Sequence, residues 1–160
     1  MLIVFAVLLL SSQRMASPAS ATEFRQPPCS ITISAPQTVK SKAPITIVVR
    51  LTNTSGRIQT LVNSTPACDY KAEIRDSNGG LAPKISGKLR ERCLGRTGKE
   101  PSAPIALEPN EWIEDSVDIS SLLYDVTRPD TYTVQLSRDF PILLGTISLK
   151  SNKIKIIVTN

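Results

Sequence analysis

The chain contains no histidine among its 160 residues, so no imidazole base, Ser-His-Asp or Cys-His nucleophile system, or HExxH zinc helix can be assembled from it. Carboxylates, thiols and cations remain. Glu111, Glu114, Asp115 and Asp118 share one strand-like stretch, but their spacing does not define the facing pair that glycoside hydrolysis needs. Asp76-Ser77-Asn78-Gly79-Gly80 begins like a calcium loop, yet Gly80 stands at its fifth position and Gly87 at its twelfth, where a bidentate Glu belongs. It reads as a hairpin turn. Cys-x-x-Cys pairs and glycine-rich phosphate loops are absent, and neither a metal nor a cofactor is expected.

Cys29, Cys68 and Cys93 allow one internal disulfide in an oxidising compartment. With Asn78-Gly79 as a hairpin tip, the ladder sets residue 89 opposite Cys68 and brings Cys93 close by. The expected pair is therefore Cys68 with Cys93, about 25 residues apart and stabilising by roughly 3 kcal/mol in the loop-entropy model. Cys29 is left over, as a poorly reactive packed cysteine, a free thiol or an intermolecular partner. A nucleophilic role would lack an activating base.

Lys84 to Lys99 is the densest charge cluster, with Lys84, Lys88, Arg90, Arg92, Arg96 and Lys99 against Glu91. Lys88, Arg90, Arg92, Arg96 and Lys99 are the candidate anion-binding residues, offering guanidinium forks and ammonium groups on a backbone freed by Gly87, Gly95 and Gly98. The alternative is a solvated edge loop that discourages aggregation. A second odd segment is Phe140-Pro141-Ile142-Leu143-Leu144-Gly145. Phe140, Ile142, Leu143 and Leu144 either form a docking tip for a protein or membrane surface, or extend a strand onto the core. Asn53-Thr54-Ser55 and Asn63-Ser64-Thr65 match glycosylation acceptors.

The elements that carry these residues follow a period of two. Ile45, Ile47, Val49 and Leu51 alternate with Thr46, Val48 and Arg50, as a half-buried strand does. The same pattern recurs in Ile31/Ile33/Ala35, Tyr70/Ala72/Ile74, Tyr132/Val134/Leu136 and Ile154/Ile156/Val158, and less regularly in Ile113/Val117/Ile119. Only Ile119 to Tyr124 offers a helical turn, with Asp118 or Ser120 as its cap. Pro36, Pro44, Pro83, Pro109 and Pro129 fall between the runs. About seven antiparallel strands in an all-β, two-sheet sandwich are expected.

Met1 to Ala21 reads as a signal peptide: Leu2 to Leu10 is apolar, too short to span a bilayer, and Ala19-Ser20-Ala21 is a small-residue cleavage site, although no Lys or Arg precedes the apolar run. Cleavage before Thr22 leaves a lead-in over 22–28 and a domain over 29–160. Export to the periplasm or the extracellular space is the expectation. With Arg14 lost, the chain's net charge of +5 falls by one, and the remainder stays basic. Apolar residues at 41%, charged residues at 21% and a mean hydropathy near zero are those of a globular domain, neither disordered nor multiply membrane-spanning.

Pro129-Asp130-Thr131-Tyr132-Thr133-Val134 resembles the turn into strand F of immunoglobulin-like and fibronectin-III-like sandwiches. That resemblance makes Tyr132 a structural corner whose phenol bonds back to nearby backbone. The order of Leu51 to Gly56, Ile74-Arg75-Asp76, Leu107 to Glu111, Tyr124-Asp125, Tyr132 to Leu136 and Ser151 to Ile154 is similar to small exported bacterial β-sandwich domains. Asn110 and Asp130 stand where those domains often carry Gly, and both tolerate left-handed backbone. The resemblance implies a non-enzymatic module acting in recognition or as an envelope-associated structural part. Its partner would be a protein or an anionic surface polymer. A proteinase inhibitor presenting one loop is the alternative, and an enzyme using carboxylates alone the second. Specific nucleic-acid binding is not expected from a chain with 4% aromatic residues. Membrane contact is expected only through the signal peptide or residues 140–144.

Overall fold

Ile45, Ile47, Val49 and Leu51 are all buried while Thr46, Val48 and Arg50 between them face out. That alternation makes β3 (Thr46–Asn53) the centre of an antiparallel three-stranded sheet, flanked by β1 (Cys29–Ser34) and β7 (Trp112–Asp118). The computed structural model describes residues 27–62, 65–85, 104–122, 124–142 and 145–160.

Opposite lies a five-stranded sheet ordered β2 (Thr38–Lys40), β10 (Ile154–Thr159), β8 (Asp130–Ile142) and β5 (Lys71–Arg75), with β9 (Gly145–Lys150) also paired to β8. Ile74, Val134, Leu136 and Ile156 turn inward from it and join the β3 side chains in one core. Short β4 (Gln59–Leu61) and β6 (Ile105–Leu107) form a third, two-stranded ladder. The architecture is an all-β sandwich. Ten strands are present among the described residues, three more than expected, and β2 runs parallel to β10. β2, β4 and β6 are three residues long, too short to carry a readable alternation.

Local chemistry fixes the turns. Asp76 Oδ1 accepts bonds from the amides of Asn78 (3.0 Å) and Gly80 (2.9 Å), and Gly79 takes φ 81°. This carboxylate closes a turn. Asp118 Oδ1 caps a 3-10 turn over Ile119–Leu122 by accepting from the Ser120 amide at 2.7 Å. Tyr132 is buried and its phenol donates to the Arg128 carbonyl at 3.2 Å, the backward bond of a tyrosine corner. Asn110 adopts φ 66°, as its substitution for Gly requires. Asp130 does not share that conformation; it opens β8 as a strand residue.

Candidate functional site

Lys88, Arg90, Arg92, Arg96 and Lys99 lie outside the described residues, as do Leu143 and Leu144, and Ile142 is the last residue of β8. Phe140 is only 6% exposed and packs in the core, so it is not available to a partner. β8 continues through Ile142 and pairs with β9, so the described part of this segment follows the strand-extension alternative, with Phe140 in the core.

Cys29 opens β1, is 1% exposed and is a free thiol; burial raises its pKa, while nearby Arg138 pulls it down. Of the readings for Cys29, this placement favours the poorly reactive packed cysteine. Cys68 is disulfide-bonded, and Cys93 lies outside the described residues. The ladder used to pair them does not extend that far. Cys68 sits in a helical turn, α1 (Pro66–Asp69), the 76–80 turn closes on an Arg75 to Leu81 bridge, and Lys84 bridges to Tyr124 instead.

The carboxylates of β7 do not converge. Strand alternation sends Glu114 outward, where it meets Arg50 at 2.6 Å, and Asp115 to the other side, where the Tyr70 phenol donates to it at 3.1 Å. Among the described residues no group of acidic or thiol side chains could hold a metal. Asn53 is fully buried, and its amide donates to the carbonyls of Arg57 (2.8 Å) and Leu107 (2.9 Å). That placement overturns its reading as a glycosylation acceptor; Asn63 lies outside the described residues.

The structure assembles a charged surface that lies scattered along the sequence. Tyr132, Val134 and Leu136 turn inward, so Thr131, Thr133, Gln135, Ser137 and Asp139 form the outer row of β8. Register places cations on both sides of that row. On β5, Lys71, Glu73 and Arg75 pair with Ser137, Gln135 and Thr133. On the other side Lys155 pairs with Thr133, Lys150 of β9 pairs with Ser137, and Lys153 immediately precedes β10.

Lys71 is ion-paired with Asp139 at 2.5 Å and Arg75 with Glu73 at 2.7 Å. Among the described residues no ion pair reaches Lys150, Lys153 or Lys155, and all three are exposed. The field is felt locally. Arg75, by hydrogen bond and charge, holds the Glu73 carboxyl below its usual range, and Lys150 and Lys153 lower it further. A hydrogen bond from Lys71 lowers Asp139 in the same way. The signal missed in the sequence was the polar phase of the strands, where Lys71/Arg75 and Lys153/Lys155 recur at alternate or near-alternate positions.

The outer face of the three-stranded sheet differs. Trp112 is 49% exposed with the Arg50 guanidinium 4.2 Å above its ring, and Arg50 is also bound to Glu114. Ser30, Thr32, Ser34, Thr46, Thr52 and Ser116 surround this pair, and Asp118, in register with Thr46, adds a carboxylate to the same face.

No protein-family model and no curated protein matches the chain. Among solved structures it is similar to a CARDB domain from Pyrococcus furiosus, crystallised in complex with di-metal ions, at 14% identity and a TM-score of 0.42, over 82% of this chain and 87% of that one. Nothing of that domain's metal ions is carried over to this chain.

Proposed function

We propose that this chain is an exported, non-enzymatic recognition module that docks an anionic polymer on the outer face of its five-stranded sheet. The observation that carries the reading is the gathering of Lys71, Arg75, Lys150, Lys153 and Lys155 on one face against Glu73 and Asp139 alone. Cations held on rigid strands attract a polyanion without reorganisation, and association of this kind weakens as salt screens it. An enzyme would need converging reactive groups, and Asp76, Asp118 and Glu114 are instead engaged in turns and an ion pair.

Retention on an immobilised heparin column tests the proposal against the basic loop. Replacing Lys150, Lys153 and Lys155 together with glutamine is expected to lower the eluting salt concentration substantially, with the fold intact because all three are exposed. Replacing Arg90, Arg92 and Arg96 with serine is expected to have the smaller effect. Unchanged elution of the lysine variant, with loss of retention in the arginine variant, would return the function to the loop.

A further inference from the structure

Resting on the polyanion reading above, we infer that the occupant of the basic face is a linear acidic polysaccharide laid along β8, its carboxylates met by the flanking lysines and its ring hydroxyls by the outer row of that strand. The composition of the face points to this occupant. Between the cations of β5 and those of β9 and β10 runs Thr131, Thr133, Gln135 and Ser137, an unbroken row of hydroxyl and amide groups. The Gln135 amide is steadied by a 2.8 Å bond to the Ser151 carbonyl, so the middle of the row is fixed before anything binds.

Same-face residues on a strand repeat about every 7 Å, and neighbouring strands lie about 4.8 Å apart. The row therefore offers neutral donors and acceptors about 7 Å apart, with ammonium groups one strand away. Lys150 and Lys155 sit beside Ser137 and Thr133, at two points along one side of the path. A bare polyphosphate accepts from these hydroxyls but has no donors for their lone pairs, which sugar hydroxyls supply. Single-stranded nucleic acid would seek aromatic platforms, and the outward positions of β5, β8, β9 and β10 carry no aromatic ring. An anionic bilayer would favour inserted apolar side chains, and Ile157, at 39% exposed, is the one large apolar side chain exposed among those strands' described residues.

The test compares three probes on the purified protein by calorimetry at one ionic strength: an oligogalacturonate, an inorganic polyphosphate of matched charge, and vesicles of phosphatidylcholine with phosphatidylglycerol. The oligogalacturonate is expected to bind about tenfold more tightly than the polyphosphate, the scale of one or two well-placed hydrogen bonds. The double variant Thr133→Val, Ser137→Ala keeps every charge, and it is expected to erase that preference while leaving polyphosphate binding unchanged. A carboxyl-reduced oligosaccharide is expected not to bind. Equal affinity for oligogalacturonate and polyphosphate, insensitive to the double variant, would overturn the polysaccharide inference and leave polyanion docking standing. Preferential binding to the vesicles would overturn it in favour of a membrane surface. Absence of binding to all three would overturn both readings.

Discussion

Tyr70 and Tyr132 are both buried phenols, but they are held in different ways. Tyr132 donates to the Arg128 carbonyl four residues back, a bond confined to one corner of the sheet. Tyr132→Phe keeps the ring and removes that bond, so a loss of about 1 to 2 kcal/mol is expected in chemical denaturation; an unmoved midpoint would contradict the corner assignment. Tyr70 instead links the sheets. Its phenol donates to Asp115 on β7, and its ring lies 5.4 Å from the guanidinium of Arg138, which is itself 6% exposed and donates to the Val62 carbonyl at 3.1 Å. Burial, reinforced by the Asp115 charge and opposed by Arg138, pushes the Tyr70 phenol up to about 12. An unfolded chain gives up that proton near pH 10, whereas the folded chain retains it to about 12. Stability from this site is therefore complete below pH 10 and is lost as pH rises through that window. Denaturation midpoints measured from pH 9 to 12 are expected to fall less steeply in Tyr70→Phe than in wild type, with Tyr132, also raised by burial, leaving part of the slope.

At the scale of elements, the long alternating strands were readable and the exceptions to alternation were not. β3, the first half of β8 and β10 bury the apolar phases that their sequences display. In the second half of β8, position 138 falls on the inward phase but is Arg. Its burial is tolerable because Asp69 lies 3.8 Å away and the Tyr70 and Phe140 rings flank it, partners brought by two stretches of chain. No spacing rule announces such a residue. The basic face was hidden for the same reason, since its cations come from β5, β9 and β10 and meet only through the register with β8. Cys68 shows the converse error, a hairpin ladder extended past its last bridge into what is a helical turn. The disulfide itself remains a prediction about the pair. Peptide mapping of protein from an oxidising compartment is expected to find Cys68 joined to Cys93 on a chain beginning at Thr22. Cys29, buried at the head of β1, is expected to resist thiol reagents until denaturant opens the core. A dominant disulfide through Cys29 would sink this assignment.

On the scale of the whole molecule, the two outer faces of the sandwich are chemically unlike. One carries hydroxyl side chains, Trp112, an Arg50–Glu114 pair and the Asp118 carboxylate. The other carries Lys150, Lys153 and Lys155 without ion-pair partners among the described residues. On the proposed reading, the field turns the basic face toward a polyanion and leaves the opposite face in solvent. Amine labelling reads this orientation directly. With a saturating polyanion at low salt, Lys150, Lys153 and Lys155 are expected to be protected from acetylation severalfold. Lys71, already bound to Asp139, should change less. Lys42 and Lys84 lie off this face, Lys42 in the stretch between β2 and β3 and Lys84 over the Tyr124 ring, and both are expected to label as in the free protein. Raising the salt should abolish the protection, because exposed charges beyond a Debye length of about 10 Å at 0.1 M cease to act together. Uniform protection of every lysine would mean that the polymer coats the chain without a preferred face, and the register that gathers these cations would then have no part in binding.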